Sequence, residues 1–454
     1  MDAVKNLLKN KVSETVNAVK NFRFNKDKVI DLLLMLFLWL VIFDPPFIIG
    51  FNIIHIVGGC SLLYLLFKRK YWLPLIKFEA VLVGFFAYIA VVSYLNGISL
   101  YDIVRSYVVY WIIDIVPVSF VIVDICKIRK YDYDKFEKLL IGAGVIFTLV
   151  SVSAIFSTSV HDFFFDYLTK AGLIRHKSFA LRTYGFASNL LYSSPIACAI
   201  IGALCMRRFA LQNKLYYLGL SVLMMLAAYY NARISIFVYV AGCFAIFITY
   251  KKQRLKLFIL GASFLVLAVG VFFILRAYVL SAQKPDSHIV WLYNGLANIF
   301  GRFFGTTKGS KYYYDSFGYY LNSKRYSYPS KIINIIFGTG ETILGKNSYG
   351  VNSDIGFVND VWYGGYVYVI SAYTGIILFC RKIKQELPRC TDDKLIGSFL
   401  TVTLVLSFIV GNIKGIYVSF NNATTLMWIL LIFSVLRTKE LSDRGFPLLK
   451  KKDK

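Results

Sequence analysis

The chain has 454 residues, 57% of them hydrophobic and only 17% charged, with a formal net charge of +26. Soluble globular proteins are about half apolar and about a quarter charged, so a mean hydropathy of +0.61 excludes a mainly soluble architecture. Runs of roughly 20 apolar residues, enough for a helix to cross about 30 Å of hydrocarbon, recur throughout and predict an all-α polytopic membrane protein; a β-barrel would instead alternate polar and apolar residues over about ten positions.

In chain order, residues 1–28 form a basic arm. It lacks the apolar core and small-residue cleavage site of a signal peptide, and it is expected to stay in the cytoplasm. Twelve spans are predicted, at about 29–44, 47–67, 78–96, 103–125, 139–157, 188–206, 215–231, 234–250, 257–275, 364–380, 395–413 and 416–436. They group as nine transmembrane helices over 29–275, a large loop over 276–363, three helices over 364–436 and a basic tail over 437–454. Lys and Arg concentrate in alternate connections: 35 of the 51 lie in 1–28, 68–77, 126–138, 207–214, 251–256, 381–394 and 437–454. The positive-inside rule therefore puts both termini in the cytoplasm. The same rule accounts for the net charge, which in a soluble protein would suggest nucleic acid; no nucleic-acid partner is expected.

Two connections on the opposite side are long, 158–187 and 276–363. Long loops carry function or disorder, and the second is too aromatic for disorder. Its stretch "KYYYDSFGYY" holds Tyr313 and Tyr319, whose flat faces and hydroxyls suit stacking on a sugar ring; an interfacial aromatic belt is the plain alternative. The loop ends in "SYGVNSDIGFVNDVWYGG", 348–365, polar and punctuated by glycine just before an apolar run. No repeat of 20–50 residues is present, and the halves show none of the symmetry of many secondary transporters. Seven cysteines without CxxC spacing and four scattered histidines predict neither a disulfide framework nor a metal site, and no cofactor is expected.

Ionisable residues are costly in lipid and mark function by default. Here many such residues, and several asparagines, fall at the outer ends of spans: Asp44, Asn96, Asp102, Arg105, Arg182, Arg233, Arg276, Asn412, Lys414, Asn421 and Asn422. Singly, each can cap a helix or meet headgroups; together they suggest a polar cavity opening outward. Asp114 is the clearest deep one, and so thin a midplane argues against an ion or proton relay. Arg233 stands in the tight turn of "YYNARISIF", and Arg182 lies just before the sixth span. The guanidinium is a planar fork suited to phosphate, with snorkelling to headgroups as the alternative.

Four stretches carry a resemblance: "RTYGFASN" (182–189), "NARIS" (231–235), "IFGTGE" (336–341) and "SDIGFVNDVWYGG" (353–365). In order and spacing, with the span count and the dominant late loop, the chain resembles the O-antigen polymerases over nearly its whole length, and more distantly the O-antigen ligases. It departs from them in two ways. Arg175 precedes Gly185 by ten positions, not the eleven of the Arg-x10-Gly element of some polymerases, so that motif is not carried over. The ligases' catalytic histidine has no counterpart near Asp354, and His288 lies far upstream.

The resemblance implies a GT-C-like glycosyltransferase architecture in the bacterial inner membrane, with the active site facing the periplasm. It implies metal-independent transfer of a glycan from undecaprenyl pyrophosphate to the end of a new lipid-linked repeat unit. Such a reaction needs a base for the attacking hydroxyl and cations for the departing pyrophosphate. The expected catalytic residues are Asp354 as base, with Asp360 second, and Arg182 and Arg233 for the leaving group. An Asx-turn or helix N-cap is the alternative role for Asp354. Arg302, Arg325, Asn352, Asp360, Tyr313, Tyr319, Gly338 and Gly340 are expected to bind substrate. The expected partners are the lipid-linked oligosaccharide, membrane lipids and a chain-length-regulating membrane protein. A ligase would use the same donor. A flippase or other transporter would have short outer loops and a charged lumen.

Overall fold

The computed structural model describes residues 26–47, 52–100, 104–173, 182, 186–187, 193–282, 287–301, 304, 326–341, 355–415 and 422–443. Among these all regular structure is helical. In chain order the helices are α1 (Lys26–Phe43), α2 (Ile53–Leu66), α3 (Trp72–Leu95), α4 (Val116–Ile128), α5 (Tyr133–Phe156), α6 (Thr158–Lys170), α7 (Ser193–Gln212), α8 (Leu215–Asn231), α9 (Ile234–Thr249), α10 (Arg254–Ser281), α11 (Ser287–Leu296), α12 (Ile332–Phe337), α13 (Gly356–Glu386), α14 (Ile396–Lys414) and α15 (Asn422–Asp443). A π-helical segment, Val104–Ile115, runs directly into α4.

Among the described residues, seven helical stretches are long and apolar enough to cross a membrane: Arg69–Leu95, Val109–Ile128, Tyr133–Phe156, Ser193–Gln212, Lys251–Ser281, Gly356–Arg389 and Ile396–Ile413. Three more apolar helices are shorter, α2, α8 and α9. The chain is thus an all-α, multi-pass membrane protein.

The bundle is built around α7, whose residues Ser193 to Ala210 are all buried. Small residues make this possible, because they let neighbouring helices approach closely. A Cβ at Gly242 of α9 would collide with Ala203, and one at Gly202 would lie 3.2 Å from Met224 of α8. At the other extreme, α10 buries only Phe272 and Val279 and presents the rest of its apolar surface outward.

The polar contacts sort onto two ends of the bundle. At one end Asn422 accepts from Ser193 (2.6 Å) and Ser194 (3.0 Å) and donates to the Ile42 carbonyl, joining α15, α7 and α1. Asn231 donates to Ser151 there at 3.3 Å. At the other end Arg207 donates to Glu137 at 2.7 Å and also to Asp393, while Arg208 pairs with Glu137 at 2.5 Å. The count of basic residues treated Arg207 and Arg208 as loop charges. In the structure α7 continues to Gln212 and both arginines are buried, because Glu137 on α5, together with Asp393 for Arg207 and Asp134 for Arg208, offsets their charge.

The predicted loops also gain structure. Segment 158–187 begins with α6, and 276–363 contains the end of α10, α11, a π-helical turn Ala297–Gly301 and α12.

Candidate functional site

The described end of the polar segment, from Gly356, becomes the first part of α13. Gly365 interrupts this helix with φ 66° and ψ −172°, a conformation essentially confined to glycine. A break of this kind leaves carbonyls without their helical donors. The "IFGTGE" element supplies replacements: Thr339 N–H donates to the Trp362 carbonyl at 2.7 Å and Gly340 N–H to that of Tyr363 at 3.0 Å. From α3, the Tyr88 hydroxyl reaches the carbonyls of Phe337 (2.9 Å) and Gly364 (3.0 Å). Gly338 has φ +82°, and a Cβ there would lie 2.6 Å from Gly364. The structure therefore gives Gly338 and Gly340 a backbone role, clasping the break.

The segment before the break carries Asp360, which is 1% exposed. One oxygen, Oδ2, accepts from the Tyr373 hydroxyl at 2.8 Å and from Asn412 Nδ2 at 3.2 Å. The other, Oδ1, is buried with no partner among the described residues. A buried carboxylate is ordinarily held by a cation or by several donors. Here two neutral side chains orient one oxygen and leave the second to take a proton from a group brought against it.

Arg233, in the turn between α8 and α9, lies at the same end of the bundle. Its Nη2 donates to the Trp291 carbonyl at 2.8 Å, and its guanidinium lies 4.5 Å from the Trp291 ring centroid. Tyr230 stacks on the same indole at 5.5 Å, and the Tyr229 hydroxyl donates to the Leu292 carbonyl at 3.3 Å. These contacts dock α11 on the turn. None is to a carboxylate, and Nε is buried without a partner among the described residues. Burial lowers the Arg233 pKa from its ordinary value, but a guanidinium stays charged in proteins. Arg276 on α10 is half-buried, and its Nε likewise lacks a partner among the described residues.

Arg182 is half-buried and has partners of its own. Asp354, Asn352, Arg302, Arg325, Tyr313 and Tyr319 lie outside the described residues, as do Asp102 and Asn421. Other outer-end groups have local structural roles. Asp44 accepts from Ile54 N–H at 3.3 Å, and Asn96 donates to the Val92 carbonyl at 2.8 Å at the end of α3.

The sequence marked Asp114 as deep but not its partner, and it did not mark Glu79. Asp114, 0% exposed on the π-helical segment, pairs through Oδ2 with Nδ1 of His55 at 2.6 Å, a partner 59 positions away. Glu79, about two turns into α3, has both carboxylate oxygens buried with no partner among the described residues. Only its place in an apolar run, "KFEAVLVGFF", could have flagged it. Among the described residues no group of three or more His, Cys, Asp or Glu side chains is placed to hold a metal ion. No family model, curated protein or solved structure matches this chain.

Proposed function

We propose that the chain is a glycosyltransferase that polymerises lipid-linked repeat units of a surface polysaccharide and releases undecaprenyl pyrophosphate. On this reading it crosses the bacterial inner membrane twelve times in a GT-C-like arrangement. Both termini are cytoplasmic, and the Asp360 end faces the periplasm. One observation carries the reading: a buried carboxylate with one unpartnered oxygen, Asp360, and a guanidinium without a carboxylate partner among the described residues, Arg233, lie at the same end of the bundle. The reaction needs one group of each kind.

An acceptor hydroxyl attacks the anomeric carbon of the donor glycan, and the bond from that carbon to the pyrophosphate oxygen breaks. Asp360 takes the hydroxyl proton. Arg233, with Arg182, holds the charge that develops on the pyrophosphate. Asp354, six positions before Asp360, is the alternative base. Membrane lipids surround the bundle, and a separate membrane protein would regulate chain length.

The test uses the purified protein with a synthetic undecaprenyl-pyrophosphate-linked repeat unit. A ladder of longer glycans with release of undecaprenyl pyrophosphate, unaffected by EDTA, is expected. Failure to extend the unit would overturn the proposal. Transfer to a lipid A core alone would make the chain a ligase.

A further inference from the structure

At the end of the bundle away from Asp360, a cavity of about 400 Å³ opens between α3, α4 and α15. It is lined by Lys70, Tyr71, Pro74, Asp124, Lys127, Ile128, Leu436, Lys439 and Glu440. Its charges do not balance. Asp124 is satisfied by Lys70 Nζ at 2.8 Å and by the hydroxyls of Tyr71 (2.5 Å) and Tyr64 (2.6 Å). Glu440 is paired with Arg437 at 2.5 Å. Lys127 and Lys439 are left over, since neither has a carboxylate within 4 Å among the described residues. Lys127 is half-buried, with Nζ 5.4 Å from the Tyr71 ring, and Lys439 is exposed at the rim.

The walls differ in character. Pro74, Ile128 and Leu436 are apolar, while the lysine ammoniums gather where three helices end. Ligand cavities are commonly about 300–1,000 Å³ and mainly apolar, with a few charged groups that fix orientation. Basic pockets between transmembrane helices at the headgroup level are suited to lipid phosphates. We infer that this cavity is a binding site for a phosphate-bearing anion, held by Lys127 and Lys439 with Lys70 at its edge. The phosphate is carried either by an anionic phospholipid or by a soluble phosphate. The site is separate from the Asp360 end and does not depend on the reaction proposed there.

The full chain, delipidated in a zwitterionic detergent, is titrated with phosphatidylglycerol in one arm and inorganic phosphate in the other. Binding is followed by thermal stability and by native mass spectrometry. A Tm rise and retained lipid in the first arm identify a lipid site; a Tm rise with phosphate alone identifies a soluble ligand. In either case Lys127→Gln/Lys439→Gln should raise the half-saturating concentration about 25-fold, roughly fivefold per lysine. Lys252→Gln, an exposed lysine outside the cavity, should leave it unchanged. If the double variant does not fold, Lys439→Gln alone should still show the fivefold effect, because that side chain stands at the rim. No response of the wild-type protein in either arm, or equal responses of wild type and the lysine variants, would overturn the inference.

Discussion

Asp360 and Tyr373 lie 13 positions apart on one helix, yet the tyrosine hydroxyl donates to the carboxylate at 2.8 Å. At 1.5 Å per residue an unbroken helix would hold their Cα atoms about 20 Å apart. The contact therefore requires the break at Gly365, which folds the segment carrying Asp360 back toward the longer arm. Phe357, 6.4 Å from Tyr366 and 6.5 Å from Tyr373 between ring centroids, follows the same path. The backbone conformation of one glycine thus sets the place of the candidate base.

Replacing that glycine should undo the arrangement. At Gly365→Ala a Cβ would meet the Ile336 carbonyl oxygen and lie 2.5 Å from Gly338 N, in a backbone region that alanine rarely adopts. The strain alone is about 1–3 kcal/mol. A clear fall in Tm and loss of glycan extension are expected. Gly375→Ala is the control: it lies later in the same helix with nothing within 4 Å, and it should be neutral or stabilise by up to about 1 kcal/mol. A Gly365→Ala protein as stable as wild type would contradict the described break.

Asp360→Asn keeps the size of the side chain and much of its contact with Tyr373, but it cannot act as a base. We expect turnover of the lipid-linked unit to fall at least about 100-fold, with little change in Tm. Retention of more than a tenth of the rate would reduce Asp360 to a clamp. Tyr373→Phe should cost about 1 kcal/mol of stability through the lost hydrogen bond.

On the proposed reading Arg233 has two separable roles. Arg233→Ala removes both the contacts that dock α11 and the cation, and it should destabilise the fold by about 1–2 kcal/mol while abolishing extension. Arg233→Lys keeps the charge without the planar fork. It should recover part of the stability and under a tenth of the activity. Full activity in the lysine variant would remove the argument for a guanidinium on pyrophosphate.

Acid stability should depend on Asp393, in the connection before α14. Burial pushes its carboxyl upward, but Arg207 and the Tyr250 hydroxyl outweigh burial and hold it below its ordinary value of 3.8. The unfolded chain therefore takes up this proton at higher pH than the folded one. The stabilisation is complete above about 3.8 and is lost as pH falls through the lower folded value. Tm measured between pH 3 and 7 should show a steeper acid limb for wild type than for Asp393→Asn; identical limbs would contradict the pairing.

Much of this architecture was legible as local pattern. Apolar run length alone located α1, α8 and α9 to within a few residues, because a helix in lipid must satisfy its own backbone. Partners distant in sequence were not legible. Arg207 and Arg208 look like loop charges until Glu137, 70 positions upstream of Arg207, is placed beside them. His55 and Asp114 meet only through the packing of α2 on the π-helical segment. The glycine pair at 364–365 was visible as a turn signal, whereas the need for Gly338 against it follows only from the break itself. Asp360 was read as secondary to Asp354 because nothing local distinguishes two aspartates in one polar segment. Asp360 is buried with one unpartnered oxygen among the described residues, and Asp354 lies outside them.

The central claim is tested most directly by the gel profile of surface polysaccharide from a bacterial strain lacking this chain, then restored with wild type or with Arg233→Ala. The account predicts a single repeat unit on the lipid core in the deletion and in the variant, and a full ladder with wild type. Bare core with accumulated lipid-linked polymer, or an unchanged ladder in the deletion, would contradict it.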